Sequence, residues 1–491
     1  MQLGRMLDRR RRNPARATRT VCDAGSAALI LLVLLLPLRA SAQGTGRAEL
    51  VARLDSIARA PAQEGRVAGL SAAVVRGADT LLLGGYGYAD LELDVPTPPD
   101  AVYEIGSVTK QFTAAAILQL RDEGKLSLDD LLTDHLPEPV GWAHPVTIRR
   151  LLDHTSGIKG YTELPLFGQL MPQRLPRDTL VKLVAREPFD FAPGEALIYN
   201  NSAYFLLGLV IEKVSGKTYE EYVEERLFAP AGMERSMYCS NSEVVKGRAH
   251  GYSATPQGGF VRAAYLDHTW PYAAGSLCST AGDMVAWNRA LHGGRVLPES
   301  SYREMTTPGR LNDGTEVRYA MGIAPSTDRS GRRMISHGGG INGFLSESRW
   351  YPEEDLVVIV LVNTTGPVGP GSVADALAGA VLGAAEPVAA PSVTFDGPLD
   401  LLAGRFEGPA RGRPLRVVVE REGEGIVARL NEGDDRLPLA YMGIVSGRPT
   451  FSSGGWLFSF MLEGVQAVGL RADHGGGHYV LAVQREGDGN R

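Results

Sequence analysis

The sequence predicts a mixed α/β (α+β) fold followed by a small all-β unit, on three observations. Residues 66–92 hold two β-prone runs separated by a turn that contains Gly and Asp, which is typical of a hairpin. Residues 107–123 carry apolar side chains near a 3.6-residue period, and Gly124 is a natural stop, which predicts a helix. Residues 398–491 instead show short apolar runs between Gly-rich turns, the pattern of a small all-β unit.

Further elements follow from the same signals, and helices alternate with Pro- and Gly-containing loops between the hairpin and about residue 235. We predict a helix over Ala203–Val214, a second over 281–292, a buried strand at Leu356–Val362 because of its β-branched run, and a last helix that Ser372 caps and that ends near Leu382.

The first 42 residues are predicted to be an export signal. Seven arginines precede an apolar run from Ala24 to Leu38, and Ala40-Ser41-Ala42 supplies the small residues of a cleavage site. The alternative is an uncleaved anchor, although the run is shorter than the roughly 20 apolar residues that a membrane span needs. We therefore expect a periplasmic or secreted protein, with anchoring to the inner membrane as the alternative.

The rest of the chain divides by composition. Residues 45–384 are predicted to form one folded domain, and residues 385–395 are predicted to be a linker because they are rich in Ala and Pro. The small all-β domain is expected at 396–488.

Composition excludes several classes of protein. The 491 residues are 44% hydrophobic and 22% charged, which is ordinary for a soluble globular protein. The 50 Lys and Arg against 56 Asp and Glu give a net charge of −6, and no basic stripe stands out, so nucleic acid is not expected as a partner. We expect a small-molecule or peptide substrate, and a membrane only if residues 1–42 stay attached. Nothing in the sequence predicts the oligomeric state.

Three cysteines are present, and Cys22 would leave with the signal. Cys239 and Cys278 remain, and they form either a disulfide in an oxidising compartment or two buried free thiols. Neither opens a helix beside a plausible base, so neither is predicted to be a nucleophile.

Ser107 and Lys110 are the first candidate pair for chemistry. Residues three apart on a helix share a face, so the hydroxyl and the amine can meet. A serine needs a neighbour that accepts its proton, and Lys110 can do so. The alternative is that Ser107 is an ordinary helix cap. The same spacing recurs at Ser156 and Lys159, but that copy opens no apolar helix.

Tyr199 and Asn201 are the second candidates, directly before the helix predicted from Ala203. A phenol near a cation can lose its proton below its usual pKa of about 10, which would make Tyr199 a general base. Asn201 could hold Lys110 and a substrate carbonyl. The alternative is a helix start, with Asn201 or Ser202 as the cap and Tyr199 as buried packing.

His337 begins a His-Gly-Gly-Gly run that contains Gly339 and Gly340. Glycines at a strand edge let a substrate approach closely and leave an N–H free as an oxyanion donor.

The His-Gly-Gly pattern also occurs at His292 and His474, so it is not specific. His292 is expected to end a helix, where Gly is a normal stop. His474 lies in the small β unit, and its neighbour His478 is expected to be a loop residue rather than a metal ligand.

The order of the three motifs resembles the serine hydrolases of the penicillin-binding protein and class C β-lactamase superfamily, over about residues 60–384. That resemblance implies an antiparallel sheet flanked by helices, a mainly helical subdomain and a lipocalin-like C-terminal β-barrel. Three further segments strengthen the resemblance: Leu151–Ile158, Tyr204–Gly208 and Ala274–Met284.

The resemblance also implies a role for each candidate residue and requires no metal or cofactor. Ser107 would be the nucleophile that forms an acyl-enzyme, Lys110 and Tyr199 would transfer protons, and Asn201 would position lysine and substrate. Substrate binding would further involve His337, Gly339 and Gly340, with the backbone N–H groups of Ser107 and Gly340 as oxyanion donors.

His337 stands where many members of the superfamily have lysine, and its side chain is mostly neutral at pH 7 unless its surroundings raise its pKa. The resemblance therefore favours the DD-peptidase, D-aminopeptidase and esterase branches. The expected substrates are esters, D-amino-acid amides or peptides and, weakly, β-lactams, with loops such as 160–178 shaping the pocket.

The sequence also bears on two other interpretations. An α/β-hydrolase would need Gly-x-Ser-x-Gly, and no serine here has Gly at both −2 and +2. A penicillin-binding sensor or a binding protein that acylates without turnover is the alternative that stays open.

Overall fold

The computed structural model describes residues 46–136, 144–383, 393–431 and 433–484. By contacts the chain divides into a unit of residues 1–51, in which the described residues 46–51 are helical, and a unit from Ala52 to Arg491. The predicted export signal lies outside the described residues, as do residues 385–392 of the predicted linker. Within the described ranges, no helix has the length and apolar character that crossing a bilayer requires.

A seven-stranded antiparallel sheet forms the centre of the large unit, in the order β10-β11-β12-β13-β1-β2-β3. Its strands are β1 (Gly69–Arg76), β2 (Asp79–Asp90), β3 (Val95–Pro96), β10 (Ala324–Thr327), β11 (Arg333–Ile341), β12 (Phe344–Tyr351) and β13 (Leu356–Val362). The predicted hairpin and the predicted strand at Leu356–Val362 are confirmed. Every residue of β13 is buried, which explains its continuous apolar run.

The short strands between these are β4 (Tyr103–Glu104), β5 (Leu197–Ile198), β6 (Met237–Tyr238), β7 (Tyr252–Ala254), β8 (Phe260–Arg262), β9 (Leu277–Ser279) and β14 (Thr364–Thr365). They form two three-stranded sheets, β4-β9-β6 and β14-β7-β8, while β5 pairs elsewhere. A disulfide joins Cys239, which follows β6, to Cys278 of β9, so the first of the two cysteine interpretations is the one observed.

The helices are α1 (52–63), α2 (Thr109–Asp122), α3 (Leu132–His135), α4 (Ile148–Leu152), α5 (Phe167–Leu170), α6 (Arg177–Ala185), α7 (Asn201–Ser215), α8 (Tyr219–Val223), α9 (Ala229–Ala231), α10 (Ala281–His292), α11 (Glu299–Met305) and α12 (Pro370–Leu382). Helices α10 and α12 pack against β13. Helix α2 is buried over most of its length and packs against α7, inside the largest apolar core. The antiparallel sheet with flanking helices and the helical region from α2 to α9 are therefore as predicted.

Two predicted helix caps are wrong. Helix α7 is capped by Asn200, whose side chain accepts a hydrogen bond from the Ala203 N–H, so Asn201 and Ser202 are already helical. Helix α12 begins at Pro370 after Gly369, and the Ser372 hydroxyl donates to the Gly369 carbonyl instead of capping. In both cases a residue one to three positions earlier has the extended backbone that starts a helix.

Nine strands form a nearly closed C-terminal barrel, in the order β18-β17-β16-β15-β23-β22-β21-β20-β19. They are β15 (Gly404–Gly408), β16 (Leu415–Glu422), β17 (Gly425–Leu430), β18 (Arg436–Pro438), β19 (Ala440–Val445), β20 (Arg448–Ser453), β21 (Trp456–Glu463), β22 (Gln466–His474) and β23 (Gly477–Val483). The barrel has its own apolar core, which contains Phe406, Phe458 and Phe460.

The barrel packs against the rest of the same unit. Its strand β23 pairs with β5, and the Tyr199 N–H donates to the Gly476 carbonyl at 2.9 Å. Arg318 pairs with Asp473 at 2.7 Å across the same junction. His478 belongs to β23 and lies 3.5 Å from Asp473, so the expectation of a loop residue is wrong because this segment completes the strand pairing with β5.

Candidate active site

Ser107 lies in a 3₁₀ turn, Gly106–Val108, that leads directly into α2. Gly106 has φ +52°, and a Cβ there would come within 2.9 Å of the Gly340 backbone nitrogen. Only glycine fits this turn, because it is pressed against β11 and has a left-handed backbone. Ser107 makes no capping hydrogen bond, so the interpretation of Ser107 as a helix cap is wrong.

Lys110 is fully buried, and its ammonium nitrogen has three oxygen neighbours. Its Nζ lies 3.2 Å from Ser107 Oγ, 2.8 Å from Asn201 Oδ1 and 2.8 Å from the Ala274 carbonyl. Burial holds the pKa of Lys110 well below its ordinary value, and the charge of Arg411 lowers it further. The structure therefore favours a neutral amine beside the serine hydroxyl.

Tyr199 follows β5 directly, and its ring centroid lies 4.7 Å from Lys110 Nζ. Its hydroxyl is buried and makes no hydrogen bond with a described residue. Burial raises the pKa of Tyr199, which the neighbouring Ser107 hydroxyl and the charge of Arg411 only partly oppose. The expected lowering of this pKa by a nearby cation is wrong, because desolvation of the phenolate outweighs the charges around it.

Asn201 is the first residue of α7, directly after the capping Asn200. Its Oδ1 accepts the hydrogen bond from Lys110, as expected, and its Nδ2 points toward Thr162 Oγ1 at 3.4 Å. The amide therefore joins the lysine to the wall of the adjoining cavity.

His337 is buried on β11 and is held as one neutral tautomer. Its Nδ1 lies 2.6 Å from the Gly338 carbonyl, which only an N–H can satisfy, so its Nε2 accepts the hydroxyl of Tyr319 at 2.8 Å. Burial lowers the pKa of His337 to about 3. The side chain therefore offers no positive charge to a substrate.

Gly339 and Gly340 face different surroundings on the same strand. A Cβ at Gly339 would lie 2.1 Å from the Ile105 carbonyl and 2.2 Å from Ser346 Oγ, whereas a Cβ at Gly340 would meet nothing nearer than Leu345 Cδ2 at 3.6 Å. Only glycine fits at position 339, because any side chain would collide with these two groups of the protein itself. This explains part of the glycine run. Gly340 lies beside Ser107 at the edge of the cavity.

A cavity of about 170 Å³ opens on Ser107, Asn201 and Gly340. Tyr161, Phe167 and Trp270 supply aromatic walls, and Arg411 is the only charged residue among the described residues that line it. A larger cleft of about 640 Å³ lies next to it and shares Leu266 and Asn342, but it does not contain the serine. Ser107 therefore opens on the smaller cavity and not on the larger cleft.

The structure thus brings together Ser107, Lys110, Tyr199 and Asn201, with His337 and the two glycines on the adjoining strand. Lys159 of the second Ser-x-x-Lys copy pairs instead with Asp190, at 2.6 Å. Among the described residues, no group of three or more possible metal ligands occurs.

Three residues near this site were missed from the sequence. Tyr319 binds His337, and His154 accepts the Asn200 N–H at 3.1 Å and packs its ring 4.3 Å from that of Tyr199. Arg411 belongs to the barrel and lies over the Tyr199 ring at 5.3 Å. Neither the charge pattern nor the spacing around them marks these residues.

A family model described as Beta-lactamase matches residues 54–382, which is more than half of the chain. The chain belongs to the Beta-lactamase family. Its match includes Ser107, Lys110, Tyr199, Asn201 and the His337 run, and excludes the barrel.

Particular relatives and structures are also similar. A D-aminopeptidase of Gluconobacter oxydans (strain 621H) is 28% identical over 307 residues, 60% of this chain and 55% of its own length. The chain thus spans little more than half of that relative. A D-stereospecific amidohydrolase from Streptomyces sp. has a TM-score of 0.56 at 29% identity, over 64% of this chain and 94% of that one. An octameric penicillin-binding protein homologue from Pyrococcus abyssi has a TM-score of 0.60 at 25% identity, over 88% of this chain and all of its own.

Proposed function

We propose that this protein is a serine hydrolase that acts through an acyl-enzyme on amides of D-amino acids, peptides among them. The observation that carries the proposal is the buried Lys110 amine, which lies 3.2 Å from Ser107 Oγ and whose pKa burial holds well below its ordinary value. A neutral amine in contact with a hydroxyl is what nucleophilic activation of a serine requires.

In the first step, Lys110 Nζ takes the proton of Ser107 while Oγ forms a bond to the substrate carbonyl carbon. The negative charge that develops on the carbonyl oxygen would be met by the backbone N–H groups of Ser107 and Gly340. The position of Ser107 at the start of α2 also favours negative charge there, because helix N-termini are electropositive.

In the second step the amide C–N bond breaks, and the leaving nitrogen needs a proton. Tyr199 is protonated because burial raises its pKa, so it can donate that proton and recover one from the Lys110 ammonium. Water then attacks the ester carbon, passes its proton to the same pair, and releases Ser107 with the free acid.

The substrate class rests on the relatives and the cavity. The Gluconobacter relative is named a D-aminopeptidase and the Streptomyces structure a D-stereospecific amidohydrolase. The aromatic walls formed by Tyr161, Phe167 and Trp270 suit an apolar side chain. Because His337 is neutral, we expect β-lactams to be turned over slowly, and esters to react through the same serine.

The experiment is a hydrolysis panel on the purified protein, with the D- and L-alanine p-nitroanilides, p-nitrophenyl acetate and nitrocefin. The D-anilide is expected to react faster than the L-anilide and nitrocefin, and Ser107→Ala is expected to abolish hydrolysis of all of them. Ser156→Ala, in the second Ser-x-x-Lys copy, is the matched control and should stay active.

Unchanged activity in Ser107→Ala would refute the nucleophile, and a preference for the L-anilide would refute the substrate class. A burst of product equal to the enzyme concentration, followed by no turnover, would instead favour the penicillin-binding sensor.

We also propose that the protein is exported to the periplasm or secreted, with residues 1–42 removed. The Cys239–Cys278 disulfide supports this, since disulfides persist in oxidising compartments. N-terminal sequencing of protein recovered outside the cytoplasm should begin near residue 43, and an intact N-terminus in the membrane fraction would favour the anchor.

A further inference from the structure

His154 lies just after helix α4, in a left-handed backbone conformation. Asp153 is the C-terminal cap of that helix, and the Thr155 N–H donates to the Arg150 carbonyl at 3.0 Å. His154 lies between the cap and this closing bond, with φ +60°. Glycine is the usual residue at such a helix end, because a side chain there is strained. The local backbone therefore favours glycine and does not explain a histidine at this position.

The side chain of His154 is buried, and only one of its ring nitrogens has a partner. Nδ1 accepts the Asn200 N–H at 3.1 Å, so the ring proton of the neutral histidine is on Nε2. Nε2 has no hydrogen-bond partner among the described residues. Burial holds the pKa of His154 well below its ordinary value, so Nδ1 remains an acceptor. Backbone strain and an unpaired buried donor are both unfavourable, and strained residues of this kind cluster at functional sites.

His154 fixes the segment that carries Tyr199 at two points. Its backbone carbonyl accepts the Ile198 N–H at 3.2 Å, and its ring accepts the Asn200 N–H. The N–H between these two, that of Tyr199, donates instead to the Gly476 carbonyl of the barrel. The backbone on both sides of Tyr199 is therefore anchored to His154, and that of Tyr199 itself to the barrel.

The imidazole ring is held in turn by three phenol rings. Its centroid lies 4.3 Å from that of Tyr199, 5.1 Å from that of Tyr204 and 4.6 Å from that of Tyr319. This packing fixes the orientation in which Nδ1 faces the Asn200 N–H. A proton donor must lie within hydrogen-bond reach of the leaving group, and a displacement of about 1 Å can lower a rate by roughly a hundredfold.

We propose that His154 is a positioning residue for Tyr199, and that its bond to the Asn200 N–H holds the phenol where it can protonate the leaving group. This inference rests on the proposed function and extends it to a residue that does not line the Ser107 cavity. When the amide C–N bond breaks, its electron pair stays on nitrogen and the Tyr199 proton completes the amine. A p-nitrophenolate group leaves as an anion and needs no such proton, so the role of His154 should depend on the leaving group.

The test compares two substrates with the same acyl group, the p-nitroanilide and the p-nitrophenyl ester of D-alanine. Their kcat/KM values report acylation alone, because each coloured product leaves in that step. His154→Phe keeps a ring but removes the acceptor. It should lower kcat/KM for the anilide at least roughly tenfold and that for the ester less than about twofold.

His154→Asn is the conservative variant that should rescue this loss. Asparagine Oδ1 and histidine Nδ1 are both bonded to Cγ, so the acceptor stays at nearly the same place, and asparagine tolerates a left-handed backbone. The ratio of the two rates should be that of the wild type. If the anilide falls as far as in His154→Phe, the acceptor is not what matters and the proposal is overturned.

His292→Phe is the matched control, because the ring of His292 also contacts a protein group, the Tyr302 hydroxyl at 2.7 Å, but lies outside the cavity. It should leave the ratio unchanged. Equal losses on both substrates in His154→Phe would show a general structural role and overturn the proposal, as would no loss on either. His154→Ala, which removes the acceptor without adding bulk, repeats the comparison if the phenylalanine variant does not fold.

A double variant tests whether His154 acts through Tyr199. Tyr199→Phe removes the proton donor directly and should lower the anilide rate at least as far as His154→Phe does. The double variant His154→Phe/Tyr199→Phe should then match Tyr199→Phe alone within about twofold. Losses that multiply would show that the two residues act independently and would overturn the proposal.

Hydrogen exchange separates this proposal from the proposed function, because it needs no turnover. The Asn200 N–H should exchange at least roughly tenfold faster in His154→Phe than in the wild type, and His154→Asn should restore its protection. A wild-type exchange rate in His154→Phe would refute the role of His154 alone. Full anilide activity in Tyr199→Phe would refute the proton donor of the proposed function, and the role of His154 with it.

Discussion

Burial decides the protonation of the groups around Ser107. It lowers the pKa of Lys110 and of His337 and raises that of Tyr199, so all three favour their neutral forms. A neutral amine can accept the serine proton, and a neutral phenol can donate one. The acid role proposed for Tyr199 and the base role proposed for Lys110 rest on this environment.

The pH dependence of activity should report Lys110. Protonation of the amine removes the base, so kcat/KM for p-nitrophenyl acetate should fall on the acid side, with a midpoint well below the ordinary lysine pKa of 10.5. His337 should not contribute above its pKa of about 3. A pH–rate profile over about pH 5 to 10 checks this, and an acid limb centred near 10 would contradict a neutral Lys110.

The two glycines of β11 provide a matched pair of substitutions. Gly339→Ala should reduce kcat/KM by roughly a hundredfold or more, because its Cβ would collide with the Ile105 carbonyl and push β11 away from the Ser107 turn. Gly340→Ala has room for its Cβ and should lose far less. Steady-state kinetics with circular dichroism to confirm folding make the comparison, and similar losses in both variants would refute the steric explanation.

The residues that form the candidate site were easier to predict from the sequence than their protonation states. The spacing of Ser107 and Lys110 placed both on one helical face, and the structure confirms that they touch. The protonation of Tyr199 was predicted in the wrong direction, because the burial of a phenol depends on residues distant in the chain, such as His154 and Tyr319.

At the scale of elements, a strong apolar pattern in the sequence was sufficient to predict a helix or strand and its bounds. The predicted helix 281–292 coincides with α10, which begins after the capping Thr280, and the apolar run of β13 coincides with its strand. Helix starts were less certain at α7 and α12, where several residues near the true start could each act as a cap. At α7 neighbouring polar side chains compete as caps, whereas α12 begins after Gly369, which has no capping side chain.

The disulfide between β9 and the segment after β6 should stabilise this part of the fold. Cys239 and Cys278 are separated by 39 residues, and closing a loop of that length in the unfolded chain is worth about 4 kcal/mol in the chain-entropy model. The Cys239→Ala/Cys278→Ala variant should therefore unfold at lower urea concentration than the oxidised wild type. Reductant should lower the midpoint of the wild type and leave that of the variant unchanged, and equal midpoints throughout would contradict a stabilising disulfide.

At the scale of the whole molecule, the barrel takes part in building the site. The Tyr199 N–H is bound by the Gly476 carbonyl of the barrel, and β5 directly before it pairs with β23. The composition change near residue 385 predicted a separate β unit, but nothing in the sequence showed that it would contact Tyr199 or insert Arg411. Those contacts join positions more than 200 residues apart, which local patterns do not report.

Substitution at this junction should therefore affect catalysis. A Cβ at Gly476 would lie 3.0 Å from Tyr199 Cβ, so Gly476→Ala should displace the tyrosine and lower kcat by roughly tenfold. Gly425→Ala, which has only the Glu422 carbonyl at 3.9 Å, is the control elsewhere in the barrel and should keep full activity. If both variants behave like wild type, the barrel does not position Tyr199.

The covalent state of Ser107 during turnover reports whether this serine is the nucleophile. The protein is mixed with a D-amino-acid ester whose acyl group is released slowly from the enzyme, and the reaction is then quenched rapidly. Intact-protein and peptide mass spectrometry should find one acyl group on Ser107. Ser107→Ala should form none, and Lys110→Met should form it at least roughly a thousandfold more slowly. An acyl group on another residue, or acylation of Lys110→Met at the wild-type rate, would contradict the central claim that a neutral Lys110 activates Ser107.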